Sequence, residues 1–166
     1  STGACPESIY DAKQGLIADG TTLVLEHLLV TASNATGTTF QLDPADPSWT
    51  GIDYSGIYAY MPSVDPKPQR GDIVSIEGAI TDFFGQLQLA SVAGWTLESA
   101  GNPDPVPELV SSDEIATGGA RADALEGVVV QAVDLTVTAV DLAPGAGDAA
   151  PTNEFEVDGT LRVDDF

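Results

Sequence analysis

Side chains that commonly carry catalysis or bind transition metals are scarce in this chain. Its 166 residues include one cysteine, Cys5, and one histidine, His27. A single cysteine excludes an intrachain disulfide, and a single histidine excludes a zinc site built from several His or Cys ligands. We interpret His27 as a residue that packs or caps within a strand. The chain also lacks any run of about 18 apolar residues, so it predicts no transmembrane helix.

Positive charge is scarce as well. Five Lys and Arg residues stand against 26 Asp and Glu residues, which gives a net charge of −21. Binding of a nucleic-acid backbone normally uses a cluster of basic side chains, so this charge disfavours a nucleic-acid partner. The acidity and the low Lys content favour a secreted or cell-surface bacterial protein. Binding of divalent cations is the alternative explanation of the acidity. The scattered cations are Lys13, Lys67, Arg70, Arg121 and Arg162.

The hydrophobic residues follow the two-residue period of β-strands. The clearest stretch is Gly71–Ala90, GDIVSIEGAITDFFGQLQLA. Apolar and polar side chains alternate over 74–81 and again over 86–89, which predicts two paired strands. Asp82–Gly85 would connect them, with Gly85 available for a positive φ. Gly78 inside the first arm predicts a bulge or bend of the kind that curls a sheet into a barrel.

Other short apolar stretches predict a sheet with little helix. No stretch has a helical period of useful length, and turn residues separate the strands. Ser8–Leu16 could form one helical turn or a short leading strand. The pattern predicts an all-β protein built as a small barrel or sandwich. The further predicted strands are Thr21–Thr31, Thr38–Asp43 and Gly56–Met61, with a closing segment at Gly94–Glu98.

Part of the sequence recurs after a proline-rich stretch. Leu25–Ala32 aligns with Leu125–Ala132, and Phe40–Asp43 aligns with Phe155–Asp158. We interpret this as a partial second β repeat without a counterpart of the Gly71 hairpin. Its strands would join the first barrel, another molecule or a domain completed elsewhere, and an open sheet edge would favour self-association. The predicted domains are a disordered tail over 1–7, a barrel over 8–101, a linker over 102–107 and the repeat over 108–166.

Three segments of the first repeat carry a family resemblance. They are Phe40–Asp43, Ser55–Tyr60 and Gly71–Val74 followed by Glu77-Gly78. The order of these segments resembles the OB-fold-like domains of secreted bacterial proteins, which occur beside extracellular nuclease-type domains and in surface lipoproteins. The resemblance covers roughly 9–98. It implies a five-stranded Greek-key barrel and transfers no catalytic site, because the chemistry of that family lies in neighbouring domains.

Aromatic residues are the candidate ligand contacts. OB-folds bind ligands on the face of strands 2 and 3 and through the 1–2 and 4–5 loops. Mapped onto this sequence, that surface comprises Trp49, Tyr58, Tyr60, Phe83 and Phe84. Such rings can stack on bases or sugars. In the alternative interpretation the two Phe side chains close one end of the barrel and the Tyr side chains cover it.

Acidic loops are the candidate metal sites. Asp43, Asp46 and Asp53 lie in one loop, and oxygen ligands of this kind hold Ca²⁺. The spacing does not match an EF-hand, so a solvated acidic loop is the alternative. We expect no cofactor, with bound Ca²⁺ as the alternative. A second and equally unspecific group comprises Asp158, Asp164 and Asp165.

These observations favour a binding module over an enzyme. We expect a non-catalytic, secreted or surface-anchored β-barrel of a larger bacterial protein that serves attachment or ligand contact, with an unidentified ligand or neighbouring domain as its partner. One alternative is an accessory nucleic-acid-binding domain of an extracellular nuclease, which the charge disfavours. Another is a carbohydrate-binding module.

Overall fold

The chain forms two compact units. The structure is a computed structural model that describes residues 8–145, 149–150 and 153–164. The first unit comprises Ser1–Val106 together with Ala124–Val129, and the second comprises Pro107–Asp123 and Val130–Phe166. The tail 1–7, which holds Cys5, and Asp165 lie outside the described residues. The domain boundaries inferred from the sequence stay a prediction.

The first unit is a closed five-stranded barrel with a sixth strand on its outside. The strands β1 to β5 are paired in the order β1-β2-β3-β5-β4, and β4 also pairs with β1, which closes the barrel. All of these pairings are antiparallel except β3 with β5, and β6 adds to β4. This is the strand order of an OB-like fold. The strands are β1 Thr22–Ser33, β2 Gly37–Leu42, β3 Gly56–Tyr60, β4 Ile73–Phe83, β5 Gln86–Ala90 and β6 Trp95–Ser99.

The predicted alternation places one face of every barrel strand in the core. Val74, Ile76 and Ile80 of β4 are all buried, as are Phe40 of β2 and Ile57 of β3, which pair directly. A helix, α1 (Ile9–Lys13), precedes β1 and buries apolar side chains against the same core. It begins at a capping box in which Ser8 and Asp11 exchange hydrogen bonds. The all-β barrel expected from the sequence is therefore confirmed.

Strand β1 contains a bulge. Leu25 pairs with Ile76 and Leu28 pairs with Val74, so two residues of β1 lie opposite Ser75 alone. The second of them, His27, has φ 56°, a left-handed conformation that side chains other than glycine rarely adopt. An extra residue of this kind bends a strand, and β1 changes here from pairing mainly with β4 to pairing with β2.

The sequence places the bend at Gly78, but the register shift lies in β1. Gly78 instead occupies the point where one edge of β4 changes partner from β6 to β5. A Cβ at Gly78 would lie 3.0 Å from Val92 Cγ2 and 3.2 Å from Leu89 Cβ. Close packing of Val92 and Leu89 against the backbone at position 78 therefore favours glycine there.

The second unit is a set of short strands with one helical turn. Its described residues form a parallel pair, β7 with β8, and an antiparallel sheet of three strands in the order β11-β10-β9. Its helix α2 has a capping box formed by Ser111 and Glu114. The elements are β7 Glu108–Leu109, α2 Ser112–Ile115, β8 Val130–Gln131, β9 Val137–Val140, β10 Phe155–Val157 and β11 Leu161–Val163. Among the described residues, no helix is long and apolar enough to cross a membrane.

The two aligned pairs of segments differ in how closely their structures match. Phe40–Asp43 and Phe155–Asp158 both contain strand residues, in β2 and β10. Leu25–Ala32 lies within β1, whereas only Val130 and Gln131 of Leu125–Ala132 are in a strand. Residues 124–127 form turns instead, and they belong to the first unit.

Candidate functional site

The outer face of β2, β3 and β5 is the surface on which an OB-like fold would bind a ligand. The pairing of Phe40 with Ile57 directs both side chains inward, so their neighbours along the strands face outward. Gln41 then lies beside Gly56, and Thr39 lies beside Tyr58, whose partner on β5 is Gln88. These residues form adjacent rows across the face.

One end of this face is covered. Gln41 points away from the core and would be expected in solvent, yet it is 0% exposed. Its Oε1 accepts a hydrogen bond of 3.2 Å from the backbone N–H of Val129, while its Nε2 is buried without a hydrogen-bond partner among the described residues. The neighbouring Gly56 is in backbone contact with Gly127. The segment Ala124–Val129 therefore lies over this part of the sheet.

The other end of the face is open and carries two tyrosines. Tyr60 is 45% exposed, and its partner on β2 is Gly37. The ring of Tyr58 lies across Gly37, with its hydroxyl 3.1 Å from Thr36 Oγ1 in the β1–β2 loop. The Asn34 side chain holds this loop by accepting hydrogen bonds from the backbone N–H groups of Thr36 and Gly37. The two tyrosines thus frame a partly polar surface next to a rigid loop.

The β4–β5 hairpin exposes two phenylalanines at its tip. Phe83 pairs with Gln86, which leaves Phe84 and Gly85 as a two-residue turn with φ values of 55° and 93°. Positive φ at both positions matches the twist of a β-hairpin. Phe83 and Phe84 are 52% and 73% exposed, and their rings meet edge to face with centroids 4.8 Å apart. They project from the barrel and do not close it.

Trp49 lies apart from these aromatic residues. It is half-buried and packs against the hydrophobic core. The Tyr10 hydroxyl of α1 fixes the adjoining loop, since it donates to the Gly51 carbonyl and accepts from the Thr50 N–H. Trp49 therefore lies at the edge of the hydrophobic core. Of the predicted ligand contacts, Tyr60, Phe83 and Phe84 have exposed rings. Whether any of the predicted residues binds a ligand stays a prediction.

The acidic residues of the candidate metal loop are engaged in local hydrogen bonds. Asp43 Oδ1 accepts from the Ala45 N–H at 2.9 Å. Asp46 Oδ1 accepts from the Ser48 N–H and hydroxyl, and Asp53 is exposed nearby. Burial of Asp46 opposes its ionisation, but the hydrogen bonds from Ser48 and the charge of His27 keep the pKa of Asp46 below its usual value.

The acidic side chains of the described residues do not form a set of metal ligands. Within 8–145, 149–150 and 153–164, no group of three or more His, Cys, Asp or Glu side chains has a geometry that could hold a metal ion. In the second acidic group, Asp158 accepts hydrogen bonds from the Ser112 hydroxyl and the Thr136 N–H. Calcium binding stays a prediction.

Sequence reasoning missed the surroundings of His27. Its Nδ1 lies 2.6 Å from Glu98 Oε2 and its Nε2 lies 3.7 Å from Asp46 Oδ2, and its backbone N–H donates to Glu98 Oε1. His27 and Asp46 border a pocket of about 310 Å³ beside the bulge, which Val24 and Leu42 also line. Because carboxylates face both ring nitrogens, the His27 side chain connects β1 to Glu98 of β6 and to Asp46 of the β2–β3 loop.

Comparisons with known proteins identify no family for the chain. No family model and no curated protein matches the chain. Among solved structures, that of the hypothetical protein ygiW from E. coli is similar, with 15% sequence identity and a TM-score of 0.41. The similarity covers 57% of this chain and 90% of that one. The OB-like fold rests on the strand order of the barrel itself.

Proposed function

We propose that the chain is a non-catalytic OB-like module of a secreted or surface-attached bacterial protein, and that it contacts a ligand through exposed aromatic rings. The observation that carries the proposal is the exposure of Tyr60, Phe83 and Phe84 on the barrel. Soluble domains bury most large aromatic side chains, and exposed rings next to polar groups are common in binding surfaces. The acidic composition supports the location outside the cell.

The contacts of the basic residues weigh against a nucleic-acid ligand. Lys13 pairs with Glu126, Arg70 with Asp104, Arg121 with Glu108 and Arg162 with Glu154. The Lys67 ammonium donates to the Val64 carbonyl at 3.0 Å. All five cations of the chain thus have an acceptor within the protein. A phosphate backbone would have to displace these acceptors against a charge of −21.

A carbohydrate is the ligand class that the open face supports best. Neutral sugars avoid the charge repulsion, and their rings pack on exposed aromatic faces while their hydroxyls bond to polar side chains. Tyr58 and Tyr60 offer rings, and the adjacent Thr36 and Thr39 offer hydroxyls on the same face. This surface is the reason for placing carbohydrate above nucleic acid.

The test is a binding screen with matched variants. We expect saturable binding of an oligosaccharide in calorimetry, and no binding of labelled single-stranded DNA at low salt with or without Ca²⁺ or Mg²⁺. Tyr60→Ala and Phe83→Ala should each weaken the binding at least about tenfold, which corresponds to about 1.4 kcal/mol. Leu97→Ala on β6 is the control, because Leu97 is 51% exposed and lies away from the face.

Three outcomes would contradict the proposal. Equal losses in the Leu97 control would show that the aromatic rings are not specific. Binding of DNA without oligosaccharide binding would favour the nuclease-accessory function instead. Turnover of nuclease, phosphatase or glycosidase substrates by the purified chain would refute a non-catalytic role. Fractionation of the source bacterium with an antibody against the chain tests its location outside the cell.

A further inference from the structure

The covered end of the barrel face has the features of a binding site with its ligand in place. The segment Ala124–Val129 belongs to the same compact unit as the barrel, although 107–123 and 130–166 on either side of it belong to the other unit. These six residues therefore belong to the first unit, whereas their neighbours in sequence belong to the second. Ala124, Leu125 and Val128 of this segment are buried.

The segment is a tight turn held at both ends by the barrel. The Val128 N–H donates to the Leu125 carbonyl, and Gly127 between them has φ 78°, as expected for a β-turn that requires glycine at its third position. The Tyr54 N–H donates to the Ala124 carbonyl at 2.6 Å, and the Val129 N–H donates to Gln41 Oε1.

A pair of glycines sets the distance between turn and sheet. A Cβ on Gly127 would lie 2.7 Å from the Ile57 nitrogen and 2.9 Å from the Gly56 carbonyl carbon. A Cβ on Gly56 would collide with the Gly127 carbonyl group. The obstructing atoms are backbone atoms, so no side-chain rotation can relieve the overlap. The contact requires glycine on both surfaces.

The buried ammonium group of Lys13 pairs with Glu126, the acidic residue of the turn. The Lys13 side chain is 1% exposed and its ammonium pairs with Glu126 Oε2. A buried ammonium needs a partner, because an unpaired charge removed from water is strongly destabilising. The first unit therefore supplies a cation, a glycine and an amide acceptor in an arrangement that matches Leu-Glu-Gly-Val-Val.

We propose that the surface formed by Lys13, Gln41 and Gly56 is a peptide-binding site specific for an acidic, glycine-containing turn, and that Ala124–Val129 is its ligand in cis. The Gln41 Oε1 atom accepts from the backbone of the segment, at Val129 N–H. A peptide with the same turn can replace the segment when the segment is weakened, because it offers the same carboxylate, glycine and backbone N–H group. This inference stands on the contacts of Ala124–Val129 and is independent of the exposed aromatic rings.

The first test asks whether the turn holds the chain together. A site-specific protease sequence is inserted after Val106, which is 87% exposed, and the folded full-length protein is cleaved. We expect the two pieces to co-elute in size-exclusion chromatography, and Gly127→Val to separate them. Gly118→Val is the control, since Gly118 has φ 79° but no atom within 4 Å of the position that a Cβ would take. Separation of the unmodified pieces, or co-elution with Gly127→Val, would overturn the proposal.

The second test measures recognition in trans and keeps the proposal testable if Gly127→Val folds poorly. A fluorescent peptide of residues 121–131 is titrated into the uncleaved full-length chain. We expect Glu126→Lys to open the site and bind the peptide at least about tenfold more tightly than the wild type, whose own segment competes at a millimolar effective concentration. Adding Lys13→Glu to Glu126→Lys should restore the cis contact and abolish peptide binding. Equal peptide affinity in all three proteins would refute the specific site.

Discussion

The bulge in β1 leads us to predict that a glycine variant at position 27 is more stable than an alanine variant, which is the reverse of the usual order in a strand. His27 is held at φ 56°, and its ring bonds to Glu98. His27→Gly and His27→Ala both remove the ring, so they lose the same contact with Glu98. They differ in the backbone, since alanine keeps the left-handed strain and glycine relieves it.

The size of the difference follows from two opposing terms. A left-handed conformation costs a residue with a Cβ about 1–2 kcal/mol. Glycine loses about 0.5–1 kcal/mol to its greater freedom in the unfolded chain. The two terms differ by roughly 0–1.5 kcal/mol, so we expect His27→Gly to be more stable than His27→Ala by about 0.8 kcal/mol. The Glu98 bond to the backbone N–H of residue 27 is available to both variants and cancels.

Val24 on the same strand supplies the matched control. It is 48% exposed, and it pairs with Glu77 before the bulge. Here the glycine variant should be less stable than the alanine variant by about 0.5–1 kcal/mol, as is usual in strands. Urea unfolding followed by circular dichroism gives the four free energies. If glycine is less stable than alanine at both positions, the strain assigned to His27 is wrong.

Three further predictions concern the core, the hairpin turn and acid stability. Ile80→Ala should lower the free energy of unfolding by about 2–5 kcal/mol, because Ile80 is completely buried; a loss below about 1 kcal/mol in urea unfolding would contradict its place in the core. Gly85→Ala should lower the free energy of unfolding by about 0.8 kcal/mol, the cost of its positive φ less the chain entropy that alanine saves, whereas Gly94→Ala, in open space without positive φ, should raise it by about 0.4–1 kcal/mol in urea unfolding. The lowered pKa of Asp46 gives stability that is present above the usual carboxyl pKa and is lost as the pH falls through the lowered value. Ser48→Ala should therefore reduce this acid-dependent loss in thermal melts at low pH, and an unchanged acid profile would contradict the assignment.

The sequence predicted the barrel well because each strand is encoded locally. In the Gly71–Ala90 stretch, alternation identified both arms, and the two-residue turn with Gly85 follows from the known preference of hairpins. The strand β3, predicted over Gly56–Met61, is Gly56–Tyr60 in the structure. These features depend on neighbours within a few residues, which a single sequence displays directly.

The covered face could not be predicted in this way, because it depends on residues far apart in the chain. Alternation places Gln41 on the outside of β2, where a polar residue needs no explanation. Only the position of Ala124–Val129, more than 80 residues later in the sequence, explains why Gln41 is buried. The one available signal was Gly127 inside an apparent strand, since an isolated glycine in such a pattern indicates a close backbone approach.

The backbone at Gly127 links this covered face to the aligned segments of the sequence. In the alignment of Leu25–Ala32 with Leu125–Ala132, Gly127 corresponds to His27, and both have positive φ. In β1 the left-handed residue forms a bulge, because β4 is present to pair on either side of it. Among the described residues no strand pairs with 125–128, and Leu125 and Val128 are buried within a turn. The same left-handed conformation thus produces a bulge at His27, where a partner strand exists, and a turn at Gly127, where none does.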